Sequence, residues 1–146
     1  MGLIRRGITG FETVSVVDFR SFKAAVYLQV NDYEPIDSTF KANKVTPNFY
    51  EAAVRHKDST FGVICNKSLP VIAFVELPMV IAAIQPIDVP ALVQVFCTAG
   101  FEVGSALELS RDLRPSDYYL LSETERNQTK YWKPVRVCDL IFNWWD

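Results

Sequence analysis

Few residues of this chain have the type and spacing that chemistry asks for. His56 is its one histidine, and histidine is the side chain whose ordinary titration falls near neutrality. General acid–base work uses such a group. A thiol such as Cys65 could serve as its nucleophile, with Asp58 or Glu51 orienting the ring. The neighbours Arg55 and Lys57 give a plainer account, in which a cation at a helix C-terminus complements the helix dipole. Glu76 lies in the most apolar stretch of the chain, where burial would raise its pKa and suit it to acid or base work. A position at a strand end, beside Leu77-Pro78 and reaching solvent, is the reading we favour, because ionised carboxylates are rarely buried.

Metal chemistry finds little to hold it. Asn31, Asp32, Glu34 and Asp37 offer the oxygen ligands that Ca²⁺ or Mg²⁺ takes. Their spacing fits no metal loop, and no glycine provides the tight turn. The three cysteines, Cys65, Cys97 and Cys138, form no CxxC pair. An odd number at wide spacing is not a disulfide framework. Cys65 and Cys97 follow apolar residues and read as small buried hydrophobes. This usage points to a reducing, cytoplasmic setting. No metal site and no cofactor is expected. The dinucleotide, phosphate-loop, zinc-protease and nucleophile-elbow patterns are all missing, so no catalytic residue is assigned.

Aromatic residues carry the strongest signal. Tyr118, Tyr119, Tyr131, Trp132, Phe142, Trp144 and Trp145 crowd the last part of the chain, which holds all three tryptophans. Tyrosine and tryptophan bury large areas and concentrate at interface hot spots. They can equally close a core or stack a planar ligand. Tyr131, Trp132, Trp144 and Trp145 are therefore the candidate binding residues, for a second copy of the chain (a homodimer) or for another protein. Arg126, Lys130, Lys133 and Arg136 lie among them and could face an acidic partner or simply solvent. The competing reading is a small-molecule binder or an enzyme with a dispersed site at His56 or Glu76.

Charge and hydropathy narrow the classes further. Fifteen basic and 17 acidic residues leave a net charge of −2, and no basic run exceeds a pair, which disfavours nucleic acid. Residues 61–101 contain 27 apolar residues and three charges. A bilayer crossing needs about 20 uninterrupted helical residues. Pro70, Pro78 and Pro86 break that stretch into runs of strand length, so no membrane span is expected. The N-terminus lacks the apolar region of a secretory signal.

These residues must be positioned by one domain of 146 residues, with 118–146 as its aromatic-rich C-terminal segment. Residues 12–20 are β-branched and read as a strand. In 22–30, Phe22, Ala24, Val26, Leu28 and Val30 alternate, which predicts a second strand. Residues 31–45 carry turn chemistry. Thr46-Pro47 predicts a helix start, with the helix running to Lys57. Asn66-Lys67-Ser68 separates two apolar runs, 60–65 and 69–77, and predicts a hairpin. Met79–Gln85 reads as a further buried strand. Asp88 is expected to cap a helix with Val89, Leu92, Val93 and Phe96 inward, ended by Gly100. A short strand follows at 101–103, and Ser116 is expected to cap a short restart. Ser122 and Glu125 form a capping box, and 122–131, without an apolar stripe, reads as an exposed helix or a mobile arm. Asp139 would cap a last helix with Leu140, Ile141, Trp144 and Trp145 on one face, and a strand at 135–142 is the alternative. The sum is an α+β fold: a largely antiparallel central sheet with two to four helices in a single layer on one face.

Overall fold

The computed structural model describes residues 2–12, 15–28 and 32–146. Thr13, Val14, Val30 and Asn31, which two expected strands and the acidic loop include, lie outside the described residues. The fold is α+β. Five strands lie in the order β1 (Tyr33–Lys41), β2 (Phe49–His56), β3 (Ser59–Asn66), β4 (Val71–Glu76) and β5 (Pro86–Ile87), each antiparallel to the next. A two-residue strand, β6 (Glu102–Val103), pairs parallel with the start of β4.

The hairpin from Ser59 to Glu76 follows the expected pattern. Asn66 Oδ1 accepts from the backbone N–H groups of Ser68 and Leu69 and forms the turn. β3 and β4 are apolar on both faces because both faces are covered. Phe61, Val63, Cys65, Ile72 and Phe74 point to one layer, and Ile64, Val71, Ala73 and Val75 to the other.

The first layer holds α1 (Phe19–Tyr27) and α2 (Pro90–Thr98). The second is made by the N-terminal residues Leu3, Ile4 and Ile8, by Leu109 of α3 (Ala106–Ser110), and by α6 (Val137–Ile141). The helices are thus not confined to one face. α1 and α2 share a face as expected, while short helices and chain ends cover the other. α4 (Pro115–Tyr118) and α5 (Glu123–Trp132) complete the chain. Among the described residues three helices have nine or ten residues and three have four or five.

Several elements depart from the sequence reading. Residues 15–18 join no strand, and the predicted strand at 22–30 is instead α1. Phe22 and Val26 satisfy the helical period as well as the alternating one. With Ala25 they form the buried face, while Ala24 and Leu28 are exposed. The predicted loop at 31–45 contains β1, an edge strand whose Pro35, Asp37 and Lys41 suit an unpaired edge. The predicted helix at 47–57 is β2. Its Tyr50, Ala52 and Val54 face α1 and α2, and pairing on both sides overrides the helical propensity of the two alanines.

The predicted strand at 79–85 is a loop in which only Ile84 is buried. Val89, not Asp88, is the N-cap of α2, and Asp88 accepts from the Ala106 N–H instead. Gly100 does end α2, with φ +95°. Arg114, not Ser116, is the N-cap of α4. Asp139 sits at the third position of α6 and bonds back to the Arg136 N–H at 2.9 Å. α6 ends at Ile141, so Trp144 and Trp145 lie beyond it.

Candidate functional site

The chain after α6 runs as a short tail whose backbone is fixed by three asparagines. Asn143 is buried, and its N–H donates to Asn48 Oδ1 at 2.7 Å while its carbonyl accepts from the Asn48 N–H at 2.9 Å. Its own amide donates to Thr9 O and Leu140 O, and its Oδ1 accepts from the Trp145 N–H at 3.2 Å. Asn66 Nδ2 donates to Ile8 O and Ile141 O at 2.7 and 2.8 Å. The carbonyls that a chain end would otherwise bury unpaired are thereby satisfied. Nothing local in the sequence marks this network, because its members meet only in the fold.

The tail delivers two indoles to one place. Trp144 meets Phe49 edge to face, with centroids 5.2 Å apart at 86°. Trp145 lies 6.2 Å from Phe11 and runs parallel to Trp132, 6.1 Å away at 3°. Trp132 comes from the last turn of α5, where its Nε1 donates to Gln128 Oε1 at 3.1 Å. Tyr131 packs its ring edge against Trp132 at 5.0 Å and is 76% exposed. Of the four candidate binding residues, Trp132, Trp144 and Trp145 line one open cleft of about 290 Å³, and Tyr131 stands beside it.

The remaining walls come from elements that give no functional signal in the sequence. Ile81 and Ala82 of the loop after β4, Pro134, Val135 and Phe142 supply apolar surface. Ile81 and Val135 are 66% and 63% exposed at its mouth. Lys133 ends α5 in the left-handed conformation, φ +52°, and turns the chain so that Pro134 and Val135 face the tail. The exposure of the apolar loop at 79–85 appears only in the fold, because its sequence reads as a buried strand.

The polar groups of the cleft are mostly engaged. The Asp139 carboxylate accepts from the backbone N–H and the guanidinium of Arg136. Asn143 is committed to the network above. Among the described residues, the indole N–H groups of Trp144 and Trp145 donate to no protein acceptor. Cys138, behind the cleft on α6, is buried, and burial pushes its thiol up to about 12. It is not a nucleophile at neutral pH.

His56 and Glu76 do not meet. His56 closes β2, opposite Ser59, and stacks on the Tyr33 ring at 4.0 Å and 8°. It is therefore a strand-end residue, not one at a helix C-terminus. Glu76 closes β4, opposite Phe61, and is exposed. β3 runs between them and their partners on it are two residues apart, which sets their backbones more than about 10 Å apart at the usual strand spacing. Cys65 lies at the other end of β3, facing α1 and α2, with its thiol raised by burial. No Cys–His pair forms. Glu34 and Asp37 lie on β1, where Asp37 accepts from Tyr27 Oη at 2.5 Å and pairs with Lys23. Among the described residues no three acidic, histidine or cysteine side chains gather as a metal site would need. Cys97, expected inside, is exposed on α2, because Leu92 and Phe96 occupy its buried face. Among the described residues no helix is long and apolar enough to cross a membrane. No protein-family model matches the chain, and no curated protein or solved structure does either.

Proposed function

We propose that the chain is a non-catalytic binding protein that seats a large apolar side chain of a protein partner, a second copy or another protein, in the tryptophan cleft. One observation carries this: three indoles and two exposed aliphatic side chains surround a single open hollow. Aromatic side chains in a partly desolvated hollow are what interface hot spots are built from. Its volume of about 290 Å³ falls at the lower limit for small-molecule sites and suits a side chain. Its carboxylate and amide are already paired, which leaves little to orient a substrate or move a proton. The alternative, a dispersed site at His56 or Glu76, has less support, since the two are held apart by β3 and neither lines the cleft. Cysteines kept as thiols agree with a cytoplasmic setting.

Isotope-labelled indole N–H groups give a direct test. Adding N-acetyl-phenylalanine amide, the simplest apolar anchor, should shift the resonances of Trp132, Trp144 and Trp145 together and saturably. Light scattering across a concentration series tests the second copy as occupant. Indole resonances that stay fixed up to the solubility limit, in a chain that remains monomeric, would overturn the proposal.

A further inference from the structure

The cleft has a charged annex. Lys133 and Pro134 are walls of the cleft and also of a second hollow of about 380 Å³, completed by Tyr118, Arg126, Thr129 and Lys130. Arg126 and Lys130 stand four residues apart on one face of α5, and Lys133, its left-handed C-cap, lines the same hollow. Among the described residues none of the three has a carboxylate within ion-pair distance. Arg126 Nη1 is held by the carbonyls of Leu121 and Tyr118, which aims the group without neutralising it. The helix dipole accounts for cations in the last turn. It does not account for Arg126 in the first turn, nor for the shared wall with an apolar cleft.

Resting on the binding role proposed above, we infer that the two hollows form one bipartite site for an acidic peptide segment. A large apolar side chain of the partner enters among Trp132, Trp144 and Trp145. Aspartate or glutamate side chains a few residues away meet Arg126, Lys130 and Lys133, and the Tyr118 hydroxyl can donate beside them. The apolar anchor supplies affinity, and the basic annex supplies direction and rejection of basic partners. Single-stranded nucleic acid also pairs aromatic rings with cations. It is the poorer fit, because Trp132 and Trp145 lie parallel with centroids 6.1 Å apart, too close for a base to stack between them.

A displayed random-peptide library selected against the full chain tests this without presuming a sequence. Enriched peptides should pair an aromatic or large aliphatic residue with nearby Asp or Glu. Trp145→Ala should weaken them about tenfold or more. Lys130→Glu with Lys133→Asn, the asparagine chosen because it tolerates the left-handed backbone, should weaken them about tenfold. Added salt should weaken the wild type and leave that double variant little changed. If Trp145→Ala lowers the melting temperature, Ile81→Glu at the exposed mouth takes its place. Apolar peptides without acidic residues, lost on Trp145→Ala but indifferent to the lysine changes, would overturn the acidic partner and leave the cleft reading standing. No enriched peptide, or peptides indifferent to both cleft variants, would overturn both. Tighter binding of an oligothymidine than of any selected peptide would also overturn the inference.

Discussion

Asp117 shows how a single carboxylate can organise the chain leading to the cleft. It is buried, and both its oxygens accept from the Arg111 guanidinium at 2.9 Å. It also caps the start of α4 through the Arg114 N–H at 2.8 Å. The Arg111 guanidinium holds the Asp117 carboxyl below the usual range, against the opposing pull of burial. A lowered native pKa means that the unfolded chain binds the proton more readily. The contribution is therefore complete above the ordinary aspartate value of about 4 and is lost as the pH falls through the native value. Asp117→Asn should cost about 2 kcal/mol at pH 7, the usual worth of charge-assisted hydrogen bonds. The gap between the two melting curves should narrow as the pH falls below about 4. An equal gap at neutral and acid pH would show that the loss comes from packing and not from the charge. The cleft asparagines work by the same logic of satisfied buried groups, but they carry no charge and should show no such pH dependence.

At the scale of elements, α5 is the informative case. Its polar sequence predicts an exposed helix or a mobile arm, but it packs on a polar inner face: Glu125 and Thr129 are the buried residues. Glu125 takes the N–H groups of Gly7 and Thr9, the Thr9 hydroxyl, and the Ser122 N–H of its own capping box. A carboxylate thus fastens the helix carrying Trp132 to the N-terminal segment carrying Phe11. Glu125→Ala should strand several buried donors and cost about 3 kcal/mol in urea unfolding. Hydrogen exchange at Gly7 and Thr9 should rise selectively, and unchanged protection there would refute the link. Such long-range fastening explains which elements could be read from the sequence. The β3–β4 hairpin, the Ser122–Glu125 capping box and the Gly100 stop are local patterns, and each is found where its residues predict. Phe22 and Val26 fit two periods at once, and β1 is polar because it is an edge, so neither segment declares itself. The tryptophans declare themselves by type. Their grouping does not, because it depends on Asn143 meeting Asn48, 95 residues away.

At the scale of the whole molecule, one sheet divides two packed layers, and the cysteines report on both. Cys65 belongs to the layer of α1 and α2, Cys138 to the layer that supports the cleft, and Cys97 to the exterior. β2, β3 and β4 each send residues into both layers. A strand cannot leave one layer without disturbing the other, so the two should unfold as one cooperative unit. Burial raises the Cys65 and Cys138 thiols, which suppresses the reactive thiolate in the native state. In the folded chain a thiol reagent should therefore label Cys97 alone. In a Cys97→Ser background, Cys65 and Cys138 should become reactive along the same urea transition, with the same midpoint as the loss of circular dichroism. An earlier midpoint for Cys138 would instead show that the layer beneath the tryptophans opens separately. The cleft would then be assembled on a mobile element, and its affinity for any partner would carry the cost of ordering it.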